Sequence, residues 1–262
     1  MRGLKPIQRP CTRPTRHPAL ARSVRRDALR GVCVALLLQP LACPADGAWN
    51  GSVALTSDYV YRGVSQTSGG AALQLGLDYL DHAGWFIGAW GSNVDPYPGY
   101  AASTELDLYA GLGGSVGDRF TWRGTYTHYQ YVRDPRAANY SHNELAAALT
   151  YLDLVAASVS YQPDSSVYSD LGFARKRATL AYEMTGRLPL RAGFALTAGA
   201  GYYDLHDSFG VRYWAGDAGL SYSYRRLALS LLHFSSDRTV ARLYDGSSAN
   251  GQWTFSAVLR FR

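Results

Sequence analysis

Residues 49–67, WNGSVALTSDYVYRGVSQT, combine a long alternating pattern with a polar stretch that follows it. One parity carries Trp49, Val53, Leu55, Tyr59 and Tyr61, and the other carries Asn50, Ser52, Thr56, Asp58 and Arg62. Because successive side chains of a β-strand point to opposite faces, the pattern predicts a strand over residues 49–62 with one apolar and one polar face. Tyr59 and Tyr61 would then lie in an aromatic girdle at the outer rim, Asp58 and Arg62 would form a charge pair facing the interior, and Gly63 would begin a loop.

The first 45 residues account for the basic character of the chain. They contain nine of its 26 Lys and Arg residues, an apolar run from Gly31 to Cys43, and the small-residue sequence Cys43-Pro44-Ala45. This is the layout of a secretory signal peptide, and an apolar run of about 13 residues is shorter than the roughly 20 that a membrane-spanning helix needs. We expect residues 1–45 to be removed and residues 46–262 to form one domain, with lipoprotein-type processing at Cys43 as the alternative.

Removal of this segment changes which functions the composition allows. Nine of the 26 basic and one of the 20 acidic residues would be lost, which leaves 17 against 19 and a net charge of about −2. A nucleic-acid partner then has no electrostatic basis. Cys11, Cys33 and Cys43 also precede residue 46, and no pair of histidines has the spacing of a metal site. We therefore predict no metal site, no cofactor and no nucleic-acid binding.

The rest of the chain repeats the same alternation in about twelve segments. They lie at about 49–62, 71–81, 85–93, 103–113, 119–131, 143–151, 154–162, 173–185, 192–203, 211–222, 226–236 and 251–262. Their lengths suit the 9–11 residues of a tilted transmembrane strand. Long polar connections at 63–70, 94–102, 132–142, 163–172, 204–210 and 237–250 alternate with short ones such as 81–84 and 152–153. Outer-membrane barrels have this asymmetry, so we predict an all-β, antiparallel transmembrane β-barrel of about twelve strands with long extracellular loops and short periplasmic turns.

Charged residues interrupt the apolar strands and are therefore expected to face the lumen, since a charge is costly toward lipid. The lumen and selectivity candidates are Asp58, Arg62, Asp78, Glu105, Asp107, Arg123, Glu144, Glu183, Asp217 and Arg260. Seven acids against three bases would favour cations. Ion-pair networks that only brace the barrel are an equally open interpretation, because about twelve strands lie between a filled eight-stranded barrel and an aqueous sixteen-stranded one.

Several short motifs resemble a known family. They are SDYVYRGVSQT at 57–67, GLDY at 76–79, GWFIGAWGSNVD at 84–95 and the pattern Glu105-x-Asp107-x-Tyr109-x-Gly111. They resemble the TorF family of proteobacterial porins, a family of unknown function, although Ala71-Ala72 replaces its usual Pro. The resemblance implies a Gram-negative outer-membrane barrel. Its expected partners are outer-membrane lipid and lipopolysaccharide, the barrel assembly machinery and a small solute.

Three functions follow from these observations. The first is a porin for passive diffusion of small, cation-favoured solutes. The second is a closed structural or surface-interaction barrel that binds a partner through loop 237–250. The third is a lipid-modifying enzyme, since His233-Phe234-Ser235 resembles the His-x-Ser pair of lipid A deacylases. A nucleophilic Ser needs a base and a third group that orients the base. Only Asp237 in a predicted loop could supply that group, so we do not expect an enzyme.

Overall fold

Strands joined by turns make up most of the protein after residue 47. The computed structural model describes residues 47–95, 104–132, 141–168, 174–240 and 251–262, so the predicted signal peptide lies outside the described residues. The strands are β1 (Ala48–Thr56), β2 (Val60–Tyr61), β3 (Val64–Ser65), β4 (Ala72–Leu80), β5 (Trp85–Asn93), β6 (Thr104–Val116), β7 (Phe120–Val132), β8 (His142–Tyr151), β9 (Val155–Tyr168), β10 (Ala174–Pro189), β11 (Phe194–Leu205), β12 (Val211–Tyr224), β13 (Leu227–Ser236) and β14 (Gln252–Phe261).

Twelve of these strands form a closed antiparallel barrel, which confirms the predicted fold class and strand number. Neighbours along the chain pair with each other from β4 to β14, and β1 pairs with both β4 and β14 to close the sheet. Closure is in register, with Val53 opposite Leu259 and Thr56 opposite Ser256. The Ser256 hydroxyl also lies 2.8 Å from the Thr56 hydroxyl on the inner face. Closure leaves no unpaired strand edge, as a barrel in a membrane requires.

The outer face of the barrel is apolar. Leu75, Met184 and Trp253 leave 53%, 59% and 63% of their surfaces exposed, while the residues between such positions are buried or half-buried. An exposed apolar surface that continues around a whole molecule is unusual for a soluble monomer and suits contact with lipid. Among the described residues, no helix has both the length and the apolar character needed to cross a membrane.

Aromatic rings border this apolar belt at both ends. At the end with the short turns, Tyr79 lies with its ring centroid 5.3 Å from those of Trp49 and Trp85. At the end with the long loops, the rings of Tyr202 and Trp214 lie 5.0 Å apart. Rings with a polar tip favour the boundary between lipid and water. The two girdles therefore mark the membrane interfaces on the molecule.

The connections follow the predicted alternation of long and short. Short turns use residues with positive φ, such as Leu152 and Asp153 at 51° and 58°. The segment 190–193 contains a 3-10 turn, Arg191–Gly193, and the connection before β12 contains one helical turn, His206–Phe209. Of the predicted surface-interaction loop 237–250, residues 241–250 lie outside the described residues.

Strands β9 and β10 extend further than the sequence indicated. Pro163 was expected to begin a long connection at 163–172, but β9 continues to Tyr168 and β10 begins at Ala174. The register between them shifts between Arg177 and Thr179, so that two residues of β9 oppose one residue of β10. A bulge of this kind accommodates a proline, which has no N–H to donate to the ladder.

The largest departure from the prediction concerns residues 57–71, between β1 and β4. The predicted strand 49–62 is wrong beyond Thr56, because the Thr56 hydroxyl donates to the Asp58 carbonyl at 2.7 Å and the chain turns into the barrel. Tyr59 and Val60 are 6% and 0% exposed, so Tyr59 does not belong to the outer girdle. Tyr61 also points into the barrel, where its ring lies 6.4 Å from that of Tyr129. Gly63 lies at the tip of the inward segment and does not begin an external loop.

Candidate functional site: a hairpin folded into the lumen

Residues 58–70 form a two-stranded hairpin inside the barrel, which we call the lumen hairpin. Val60 pairs with Ser65 and Tyr61 with Val64, while Arg62 and Gly63 form the turn with φ values of 51° and 77°. Positive φ at both central residues is the geometry of a type I′ turn, whose twist matches that of a hairpin. A Cβ atom at Gly63 would lie 2.4 Å from the Ala215 Cβ atom of β12, so the turn packs tightly against the wall.

The base of the lumen hairpin is held by one buried carboxylate. Ser65 and Thr67 donate their hydroxyls to Asp58 Oδ1 at 2.6 and 2.8 Å. Across the same level, the Gln66 N–H donates to the Tyr59 carbonyl at 2.6 Å. Asp58 is 5% exposed and serves these hydroxyls, so the expected pair between Asp58 and Arg62 does not form. The network ties the two arms of the hairpin to each other, and the Asp95 N–H after β5 also donates to the Gln66 carbonyl at 2.7 Å.

The tip of the lumen hairpin reaches the opposite wall. Arg62 Nη2 lies 2.7 Å from Glu144 Oε2 on β8, and Arg62 Nε lies 3.9 Å from Glu183 Oε1 on β10. The Tyr213 hydroxyl donates to the Arg62 carbonyl at 3.1 Å. Strands β8 and β10 flank β9, which is six strands from β1 in both directions around the barrel. The hairpin therefore spans the whole width of the lumen.

Apolar contacts fill the space on both sides of the lumen hairpin. Val60 packs against Leu232 and Phe234 of β13. Val64 belongs to a cluster with Ala181, Tyr203, Tyr213, Ala215 and Val240, and Tyr59 belongs to one with Ala72 and Val94 that Tyr61, Trp90 and Tyr131 extend. These partners come from most of the barrel strands. The hairpin is therefore packed on both sides at this level.

Glu144 and Glu183 are themselves held in place by neighbours. Gln162 donates an amide N–H to Glu144 Oε2 at 2.9 Å, and the Tyr203 hydroxyl donates to Glu183 Oε1 at 3.0 Å. The guanidinium of Arg62 also stacks over the ring of Tyr61, with Cζ 4.8 Å from the centroid. Preorganised acceptors of this kind reduce the cost of burying a charge, because the remaining lone pairs are satisfied.

A cavity lies beside the lumen hairpin, toward the end with the short turns. Val60, Arg62 and Gly63 form one side, and small residues of β11 and β12 form the other: Gly199, Ala200, Gly201, Ala215 and Gly216. Glu183 and Asp217 contribute carboxylates to its lining. The small side chains create this space, since a Cβ at Gly199 would approach the Asp217 carboxylate to 2.7 Å.

The other predicted lumen residues occupy separate parts of the inner face. Asp78 lies beside Tyr109, which donates its hydroxyl to the Asp78 carboxylate, and Arg123 stacks over Phe86 with Cζ 3.8 Å from the ring centroid. Arg260 faces inward on β14, near the short turns.

Two further predicted residues, Glu105 and Asp107, are buried on β6 at 2% and 1% exposure. One oxygen of each carboxylate, Glu105 Oε2 and Asp107 Oδ1, has no hydrogen-bond partner. The structure thus pairs Arg62 with Glu144 and Glu183 and places Asp217 beside them in the cavity. Their part in selectivity stays a prediction.

Inward-facing tyrosines were missed at the sequence level, because the tyrosines had been assigned to the membrane girdles. Tyr109, Tyr129, Tyr203 and Tyr213 are 4–7% exposed and lie inside the barrel. A signal was present, since Tyr109 shares its parity with Glu105 and Asp107 on β6. A tyrosine on the same face as buried acids has a hydrogen-bond partner within reach, and it therefore tolerates the interior.

The residues of the catalytic hypothesis do not form a connected group. His233 and Ser235 lie on the outer face of β13, and the ring of His233 lies 5.0 Å from that of Trp253. Asp237 accepts backbone N–H groups from Trp214 and Thr239 at 2.8 and 2.7 Å, so these donors occupy the group that was expected to orient His233. In the part of the chain that the structure describes, no group of three or more His, Cys, Asp or Glu residues could hold a metal ion.

The carboxylate of Asp237 also organises the turn after β13. Partial burial tends to raise its pKa, but the backbone N–H groups of Trp214, Thr239 and Val240 outweigh that effect and lower the pKa of Asp237 below its ordinary value. The same turn places Val240, which is 0% exposed, against Val64 of the lumen hairpin. Asp237 therefore supports the packing around the hairpin.

A closed twelve-strand barrel with an apolar exterior, aromatic girdles and a polar, charged interior is a porin-like β-barrel. The sequence matches a family model described as "Bacterial protein of unknown function (Gcw_chp)" over residues 44–252, and the chain belongs to that family. The more specific TorF assignment stays a prediction. No curated protein matches the sequence.

Solved structures agree with the porin-like fold. The NanC porin is 10% identical, with 82% of this chain and 100% of that chain covered and a TM-score of 0.55. The KdgM porin is 10% identical, with 81% and 99% covered and a TM-score of 0.48. An outer membrane channel from Pseudomonas putida F1 is 12% identical, with 85% and 99% covered and a TM-score of 0.48. At this identity the likeness to NanC concerns the fold alone.

Proposed function

We propose that this protein is an outer-membrane channel that allows passive diffusion of small solutes, with a preference for cations. The observation that carries the proposal is the opposition of the two faces of one closed sheet. The outer face is apolar between two aromatic girdles, and the inner face carries Asp78, Glu105, Asp107, Arg123, Glu144, Glu183, Asp217 and Arg260. A lipid-facing exterior supports residence in the outer membrane, with membrane lipid and lipopolysaccharide as neighbours.

The excess of acids on the inner face supports the cation preference. Glu144 and Glu183 are paired with Arg62, whereas Asp217 lines the cavity beside the lumen hairpin. A carboxylate in a narrow polar passage raises the local concentration of cations and excludes anions. Asp217 is therefore the residue whose charge is most directly available to a passing ion.

Planar bilayers test this proposal. Purified chain 46–262 should give single-channel currents, and a potassium chloride gradient should give a reversal potential of the sign for cation selectivity. Asp217→Asn should reduce that potential, while the isosteric rim variant Asp204→Asn, which loses an exposed ion pair with Arg212, should retain it. A reversal potential of the opposite sign would refute the cation preference. Absence of current from the wild type and from a variant without the lumen hairpin would refute the channel.

A closed barrel that serves a structural or surface-interaction role is the second candidate. The observation in its favour is the packing of the lumen hairpin against both sides of the wall. Liposome swelling with sugars of graded size distinguishes the two, because the wild-type channel admits the smaller sugars, whereas a closed barrel admits none of them. Recovery of the protein in the outer-membrane fraction tests its location, and heat-modifiable migration on gels tests the folded barrel.

A further inference from the structure

We propose that the lumen hairpin is the gate of the channel and that Arg62 is the latch that holds the gate closed. The inference rests on the proposed channel function and adds to it the residues that control passage. The gate consists of residues 58–70, which contact the opposite wall and border the cavity.

The barrel is complete without the lumen hairpin. Thr56 at the end of β1 is the register partner of Ala72 at the start of β4, so the two strands already meet where the excursion begins. Neither β2 nor β3 pairs with a barrel strand. Movement of the hairpin therefore breaks no bond of the barrel ladder, and a two-residue turn could replace the whole segment.

The lumen hairpin is held together by hydrogen bonds between its own residues. Asp58 binds the hydroxyls of Ser65 and Thr67, and Gln66 binds the Tyr59 carbonyl, all within the segment. At its end, Ser68 and Gly69 have φ values of 52° and 79°, and a Cβ at Gly69 would meet nothing within 4 Å. A hairpin with internal bonds and an uncrowded joint can move as a rigid body.

The tip of the lumen hairpin is attached to the far wall by an ionic contact. One guanidinium lies between two carboxylates that belong to different strands, with a tyrosine hydroxyl on the adjacent carbonyl. The side chains of Arg62 and Glu144 are only 11% and 3% exposed. If the arginine served only to fill space, an apolar side chain would do so without the cost of burying an ion. An ionic contact at the tip of an independent hairpin is instead a contact that a change of local charge can release.

A cavity beside the closed lumen hairpin completes the geometry. It contacts Arg62 and Gly63 directly and continues along Glu183 and Asp217 on the wall. A cationic solute in this cavity would lie beside the same Glu183 that contacts Arg62, and it would compete for that carboxylate. The gate and the selectivity residues are therefore adjacent, and cations are the class of solute that could weaken the latch.

Three variants test the gate in planar bilayers. The first replaces residues 58–70 with Asn-Gly, which connects Ser57 to Ala71 and should raise the conductance by roughly an order of magnitude. The second, Arg62→Ala, should raise the open probability by roughly a hundredfold, or until it saturates, without changing the conductance of the open state. The third, Arg212→Ala, is the matched control: it removes an arginine whose exposed ion pair with Asp204 is 2.8 Å long, and it should behave as the wild type.

A disulfide variant tests whether the hairpin must move. A Cβ placed at Gly63 would lie 3.3 Å from the Ser236 Cβ, close to the 3.5–4.5 Å of a disulfide. The variant Gly63→Cys/Ser236→Cys, with Ala215→Gly to make room, contains the only two cysteines after residue 43. The oxidised form should remain closed and the reduced form should open. Backbone strain at residue 63 is the same in both forms, so it does not cause this difference.

The outcomes separate this inference from the proposed channel function. If the variant without the hairpin conducts no better than the wild type while both conduct, the gate is refuted and the channel stands. If neither conducts, the channel itself is refuted. If the oxidised and reduced forms of the disulfide variant conduct equally, the hairpin is a fixed constriction and the gate is refuted. Equal open probabilities for Arg62→Ala and Arg212→Ala would refute the latch.

Discussion

Replacement of Arg62 by alanine should loosen the lumen hairpin without unfolding the barrel. The side chains of Arg62 and Glu144 are 11% and 3% exposed, and the ion pair between them is 2.7 Å long. At an effective dielectric constant of about 20, the attraction over that distance is roughly 6 kcal/mol, and desolvation of both groups offsets part of it. Removal of one partner from a buried pair costs about 3–5 kcal/mol. Glu144 keeps a hydrogen bond from Gln162, so we expect the lower end, about 3 kcal/mol.

This free energy sets the expected change in hairpin opening. About 3 kcal/mol corresponds to roughly a hundredfold increase in the open fraction, since 1.4 kcal/mol is a factor of ten. Glycine adopts a φ of 51° with less strain than alanine, but the turn stays intact in both positions of a hairpin that moves as a unit. Arg62→Gly should therefore open to about the same extent as Arg62→Ala, since both variants lack the charge.

Hydrogen exchange measures this opening directly. The Asp95 amide, outside the hairpin, donates to the Gln66 carbonyl at 2.7 Å and becomes open to exchange when the hairpin moves away. A peptide that contains Asp95 should exchange about a hundredfold faster at this amide in Arg62→Ala than in the wild type. Peptides from β12 should be unchanged, and Arg212→Ala should leave the Asp95 amide protected. Protection in Arg62→Ala within about threefold of the wild type would show that apolar packing holds the hairpin and that the ion pair contributes little.

Three further predictions follow from the same structure. Met184→Arg, on the outer face, should lower the free energy of unfolding by about 2–4 kcal/mol in urea titrations in lipid vesicles. Thr185→Arg, whose side chain points into the cavity, should lower that free energy much less. Equal losses would contradict the assigned faces. Gly63→Ala should accelerate hydrogen exchange at the Asp95 amide far more than Gly69→Ala. Both glycines have positive φ, but only a Cβ at residue 63 would meet a neighbouring Cβ, at 2.4 Å, and equal acceleration would exclude the steric reason. The depressed pKa of Asp237 implies stabilisation of its turn that is complete above its unfolded pKa of about 3.9 and is lost as the pH falls through the lower folded pKa. Hydrogen exchange in residues 237–240, corrected for intrinsic rates, should therefore be constant between pH 7 and 5 and rise below about pH 4, and a rise already between pH 7 and 5 would contradict it.

The barrel itself was predictable because its causes are local. A two-residue period fixes which side chains share a face, and a lipid-facing strand must be apolar on that face. The alternation of long and short connections then determines the antiparallel order, since each turn joins neighbours. Pro163 shows where this reasoning ends: the residue that stops most strands lies here within β9, because a bulge opposite Ala178 removes the need for its N–H.

The lumen hairpin could not be predicted in the same way. Tyr59 and Tyr61 continue the parity of β1, so the pattern alone extends the strand beyond Thr56. The contacts that turn the segment inward join residues far apart in the chain: Arg62 and Glu144 are 82 positions apart, and Tyr213 and the Arg62 carbonyl are 151 apart.

The amino-acid sequence therefore determined the barrel and its strand number. The tertiary structure alone decided that Arg62 crosses the lumen and pairs with Glu144 and Glu183. The physical reason is that these partners come together only when the sheet has closed, and a closed sheet places β8 and β10 opposite β1.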